Sequence, residues 1–176
     1  ARRARRRRAR KRAQPPHPVI ADSNTTRIDL SLPGPHPLGV ETAVREHLHA
    51  DQAPVHYVEN SLITGLFGLL CWDAIFAPLP GAFFHPFQSA PADLHSPDFQ
   101  QRRHALFAAS LAHLDSDAWQ HRIRHNWQAK QGIQSPFVHW SLLTETLLDQ
   151  ALHCLPAAHL RAWFQRLLQD IRANRA

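Results

Sequence analysis

The chain has 176 residues, long enough for one domain with its own core. Its formal charge of +6 is unevenly placed: residues 1–12 hold nine Arg and Lys, and the remainder carries 11 basic against 14 acidic residues. Two cysteines far apart exclude a disulfide scaffold, and Leu62–Ala77, short of the roughly 20 apolar residues a bilayer requires and interrupted by Asp73, excludes a membrane span.

Both cysteines, Cys71 and Cys154, lie in apolar stretches and read as buried free thiols. No apolar stretch of the secretory kind follows the basic start. These features suggest a cytoplasmic protein. Lysine occurs only at Lys11 and Lys130 in a chain rich in Ala, Arg, Leu, Pro and His, which suggests a GC-rich bacterial genome. Methionine is absent, even from position 1, so the chain is expected to be a piece of a longer protein.

In chain order, residues 1–25 read as a disordered basic tail or linker, because clustered arginines repel one another and "QPPHP" cannot join a regular element. Residues 26–176 read as one helical segment. Thr26–Leu32 alternates polar and apolar residues and predicts a short strand. After "PGPHP", a first helix is expected with Val40, Val44, His47 and Leu48 on one face. A second is expected over about 58–77, where Gly65 and Gly68 imply the close approach of another backbone.

Ser96-Pro97 predicts the start of a third helix, burying Phe99, Leu106, Phe107, Leu111 and Leu114. The fourth is expected from 115–117 to Gly132, with Trp119, Ile123 and Trp127. The fifth covers about 138–154. The sixth opens at Pro156, with Leu160, Trp163, Phe164, Leu167, Leu168 and Ile171 at helical spacing. The fold class is therefore mainly α: about six helices and one short strand. Enzymes, adaptors and scaffolds all share that description.

Several residues could carry chemistry. Arg5, Arg6, Arg7, Arg8, Arg10, Lys11 and Arg12 could neutralise phosphates without reading sequence, or form a solvated linker. Arg102 and Arg103 could touch DNA or lie on a solvated helix face. His121 and His125 are one helical turn apart, but "HRIRH" lacks the central Glu of the zinc-protease motif. His47 and His49 are two apart, which is wrong for one helical face. No Gly-x-Ser-x-Gly and no phosphate-binding glycine loop occurs.

Glu59 opens an apolar run. On the first turn of a helix the dipole alone would account for it. On a shared face with Leu62, Ile63 and Leu66, its carboxylate would point at the packed side and require a partner, of which a divalent cation is one.

"VENSLITGLFGLLCWDAIF" (58–76) resembles the signature of the Fanconi-associated nuclease family, whose catalytic module is the virus-type replication-repair nuclease domain, VRR-NUC. There a Glu precedes Leu-Phe/Tyr-Gly-Leu-Leu-x-Trp-Asp-x-Ile-Phe, and Glu59 and Leu66–Phe76 reproduce the pattern. "FQSAPADLHSPDFQQRR" (87–103) is similar to the family's Gln-x-x-Pro-x-Asp-Leu segment with its Arg pair. "VETAVREHL", "PFVHWSLLTETLL" and "LRAWFQRLLQDIRANRA" fit in the same order, so the resemblance covers roughly residues 38–176.

The resemblance implies a structure-specific DNA nuclease that acts on branched or 5′-flap DNA and helps remove interstrand crosslinks, with Mg²⁺ or Mn²⁺ held by carboxylates. It implies the helical flank of a PD-(D/E)xK-type nuclease, with Glu59 as metal ligand and catalytic residue. The partners would be DNA and the remaining nuclease core of the same polypeptide, with no membrane. Localisation would be at the bacterial nucleoid, or nuclear in a eukaryote. The family's Gly-x-Pro-Asp and Glu-x-Lys motifs do not occur here, so the fragment alone is expected to be inactive. The alternative is a non-catalytic helical adaptor whose Arg-rich tail holds nucleic acid.

Overall fold

The computed structural model describes residues 29–171, except 33, 35, 60 and 170. The predicted disordered tail lies outside the described residues, as do positions 26–28 of the expected strand. Its remaining positions, 29–32, form no strand. An isolated bridge between Ala50 and Ala53 is the only β pairing among the described residues.

The helices are α1 (Val40–Leu48), α2 (Ser61–Leu70), α3 (Trp72–Ile75), α4 (Phe99–Arg102), α5 (His104–Ala112), a 3₁₀ turn (His113–Asp115), α6 (Ala118–Ala129), α7 (Glu145–Cys154) and α8 (Ala157–Gln169). The six expected helices are present, but two of them are broken. The second is interrupted at Cys71 to give α2 and α3, and the third at Arg103 to give α4 and α5.

The core is built around α2. Leu66, Phe67, Leu69 and Leu70 are buried, and the helix packs on α6 and α8. Phe67 is its hub. Its ring lies 5.2 Å from Phe137 and 5.6 Å from Phe164, both edge-on, and 6.2 Å from Phe107. Such offset and edge contacts suit the ring quadrupole. The close approach implied by the glycines is present. A Cβ on Gly68 would sit 2.7 Å from Phe137 Cβ, and one on Gly65 would sit 3.2 Å from a Leu143 methyl. The irregular 137–143 segment is thereby laid across α2.

This packing shortens the fifth helix. Phe137, Val138 and Leu143 are buried outside any helix. The helix α7 begins at Glu145, where the Thr144 hydroxyl accepts the Leu147 N–H at 3.3 Å. Trp127 Nε1 donates to the Leu143 carbonyl at 3.0 Å and Trp140 Nε1 to that of Ile133 at 2.7 Å, satisfying backbone that a helix would have paired internally.

The face of Val40, Val44, His47 and Leu48 is present on α1, although no residue of that helix is buried. Elsewhere the expected burial is corrected. Leu106 and Trp163 are exposed, because each lies at the edge of its helix's apolar stripe. Asn126, unremarked in the sequence, is buried and donates through Nδ2 to the Leu69 carbonyl at 2.7 Å. Surface ion pairs join Asp73 to Arg122, Asp149 to Arg124 and Asp115 to Arg161. Each contributes about 0–1 kcal/mol. No described helix is long and apolar enough to cross a membrane.

Candidate functional site

Glu59 stands two residues before α2, not on its first turn. Its φ is 41°, the only positive value at a non-glycine position among the described residues. The expected helical face shared with Leu62, Ile63 and Leu66 therefore does not exist, and the carboxylate is exposed rather than aimed at the core. The turn that carries it is closed by Ser61, whose N–H and Oγ–H both donate to the Val58 carbonyl, at 2.9 and 2.5 Å. Val58 behind the turn, and Leu62 and Ile63 beyond it, pack on the core. His56 Nε2–H donates to Gln150 Oε1 at 2.6 Å, tying the preceding segment to α7.

The second resembling block, Phe87–Arg103, folds on itself. Gln88 donates through Nε2 to the Ala82 and Ala90 carbonyls at 2.7 and 2.6 Å, and its Oε1 accepts the Phe84 N–H at 3.1 Å. Asp93 receives both arginines. Arg103 is 1% exposed and grips the carboxylate with two bonds, 2.8 and 2.9 Å. Its guanidinium lies 4.2 Å from the centre of the Phe99 ring. Arg102 meets Asp93 at 2.5 Å and the Pro80 carbonyl at 2.6 Å.

The proposed phosphate contact by Arg103 is therefore corrected, because its guanidinium is enclosed and already paired. Arg102 is partly exposed and also engaged. The remaining candidates, Arg5, Arg6, Arg7, Arg8, Arg10, Lys11 and Arg12, lie outside the described residues.

Among the described candidates, Glu59 and the Arg102–Arg103 pair lie at different places in the fold. Glu59 precedes α2, whereas the arginines bind at Pro80 and Asp93, past the end of α3. His47, His49, His121 and His125 are all exposed, and no group of three or more His, Cys, Asp or Glu able to hold a metal ion occurs among the described residues. Sequence reasoning missed Asp93 as the partner of the Arg pair and Ser61 as the closure of the Glu59 turn. Asp93 had a signal, since it and the arginines belong to one matched block.

Comparison with known proteins agrees with the motifs. The family model for the VRR-NUC domain matches residues 115–176. The chain is 64% identical over 151 residues to the Fanconi-associated nuclease 1 homolog of Pseudomonas aeruginosa, an alignment covering 85% of this chain and 27% of that protein. It is 33% identical over 119 residues to Fanconi-associated nuclease 1 of Danio rerio, covering 65% of this chain and 12% of that one.

Among solved structures, paFAN1 bound to a 1-nt 5′ flap DNA with a gap superposes with a TM-score of 0.79 at 63% identity, covering 85% of this chain and 27% of that one. A second paFAN1 structure, with a 2-nt 5′ flap, gives a TM-score of 0.82 at 61% identity, covering 92% of this chain and 30% of that one. The chain thus spans about a quarter of the length of its bacterial relative. Over that span, the ordered motifs, the helical fold and these similarities place the chain in the Fanconi-associated nuclease family, whose VRR-NUC domain model it matches.

Proposed function

We propose that this chain is part of a structure-specific DNA nuclease that hydrolyses phosphodiesters at 5′ flaps and acts in interstrand-crosslink repair, with Glu59 as one ligand of a catalytic Mg²⁺ or Mn²⁺. The observation that carries the reading is Glu59 itself. The acid of the matched motif is exposed on a left-handed turn whose two ends are anchored in the core.

A carboxylate is the hard oxygen donor that such ions take. Glu59 fits as one ligand, and the described residues supply no cluster to complete the set. When bound, the ion lowers the pKa of the attacking water and offsets charge developing on the phosphate. The role of this chain is to hold one carboxylate in place and to build the helical wall behind it. The 176 residues alone are then inactive, because one carboxylate cannot fix a cation in catalytic geometry.

The test is Glu59→Gln in the full-length protein. Turnover of a 5′-flap duplex is expected to fall by orders of magnitude at unchanged melting temperature and DNA affinity. Near-normal turnover would return Glu59 to the role of a dipole-favoured residue beside a helix, worth about 0.3–1 kcal/mol of stability. Reading the gene beyond Ala176 separates the nuclease from an adaptor. Gly-x-Pro-Asp followed by Glu-x-Lys supports the nuclease, and an immediate stop codon supports the adaptor with its Arg-rich tail.

A further inference from the structure

We propose that Ser61 is a positioning residue that holds Glu59 in its working orientation, an inference that rests on the reading of Glu59 as a metal ligand. An L-residue with a Cβ is sterically disfavoured in the left-handed region, and such a conformation persists only where its surroundings impose it. Here the imposing group is identifiable. Ser61 gives both its N–H and its Oγ–H to one acceptor, the Val58 carbonyl, at 2.9 and 2.5 Å, and Glu59 lies between the bonded residues. A carbonyl has two lone pairs, and Ser61 engages it twice.

This is not how a serine ordinarily serves a helix start. A capping serine accepts an N–H from the first helical turn through its side-chain oxygen. The Ser61 hydroxyl instead donates backward, out of α2, and closes the loop around Glu59. Both ends of the closure are fixed. Val58 and Leu62 pack on the core, and the approach to the turn is tied down by the His56–Gln150 bond at 2.6 Å. The result is an exposed carboxylate on a preorganised stalk. A ligand placed this way does not have to be ordered at the moment of reaction, which is where preorganisation contributes to rate.

The experiment uses the full-length nuclease with three substitutions at Ser61 and Glu59→Gln as control. The readouts are cleavage of a 5′-flap duplex, Mn²⁺ binding by calorimetry and melting temperature. Ser61→Ala is expected to lower kcat by about 10- to 100-fold, the scale of a misplaced reacting group, with KM for DNA unchanged within about twofold. It is also expected to weaken Mn²⁺ binding. Ser61→Thr, which keeps the hydroxyl, is expected to retain both.

Parental kcat and Mn²⁺ affinity in Ser61→Ala, or an equal loss in Ser61→Thr, would overturn the assignment. If the Ala variant does not fold, Ser61→Cys, with its weaker donor, replaces it, and parental Mn²⁺ affinity there would overturn the assignment equally. The two readings fail differently. An active Glu59→Gln removes the ligand role itself, whereas an inactive Glu59→Gln beside a normal Ser61→Ala removes only the positioning role.

Discussion

Asp93 and Arg103 form a two-pronged ion pair inside the protein, with bonds of 2.8 and 2.9 Å and the guanidinium side chain wholly enclosed. The pair joins the loop after α3 to the junction of α4 and α5. It explains why the expected single helix breaks at Arg103, where the backbone (φ −114°, ψ 14°) leaves helical geometry as the side chain turns inward.

Asp93→Asn in the 176-residue chain should destabilise it by about 3–5 kcal/mol, because the arginine remains buried without its counter-charge. The double variant Asp93→Leu/Arg103→Met should recover much of that loss. Urea unfolding measures both. A phosphate contact by Arg103 would instead alter only the salt dependence of DNA binding.

Gly68→Ala should cost about 1–3 kcal/mol by overpacking. Its new methyl would fall 2.7 Å from Phe137 Cβ and 3.0 Å from a Val138 methyl, so the 137–143 segment would be pushed off α2. Gly65→Ala meets a Leu143 methyl at 3.2 Å and the Phe137 carbonyl at 3.9 Å, and should cost less. Thermal melts of the two variants give the order directly.

The thiols should differ. Cys154 is exposed, which corrects the expectation that both are buried, and should react with a disulfide reagent in the native state. Cys71 should react only on unfolding. Burial pushes its thiol above the ordinary range, opposed by a hydrogen bond with Ser110. The unfolded thiol ionises near about pH 8.5 while the folded one stays protonated. Its contribution to stability is therefore complete below that pH and lost above it, with a limiting slope of about 1.4 kcal/mol per pH unit. Cys71→Ala should remove that slope from a plot of unfolding free energy against pH.

Deleting residues 1–12 should weaken DNA binding and flatten its salt dependence. Nine phosphate contacts would give a log–log slope near about −8, and the three to five contacts expected of a tail would give roughly −3 to −4.5. Unchanged affinity after deletion would make the tail a linker.

The helices that sequence periodicity predicted were those whose stability is local. In α6 and α8, the 3.6-residue apolar spacing and the packed face coincide, as Trp119, Ile123, Leu160 and Phe164 attest. The glycines of α2 announced a close neighbour for the same reason, since each forgoes helix propensity that only tight packing repays. The family and the candidate acid were also legible, because a motif is a property of residue order.

Residue order did not specify which polar groups would be enclosed together. Asp93 and Arg103 are ten residues apart across a turn, and Asn126 finds the Leu69 carbonyl 57 positions away. The unburied face of α1 and the enclosure of Arg103 depend likewise on which surfaces the assembled helices offer. Glu59 shows the division most plainly. Residue order nominated the acid but placed it on a helical face. Tertiary structure put it on a left-handed turn instead, because Ser61 bonds backward to Val58 while Val58, Leu62 and Ile63 pack on the core.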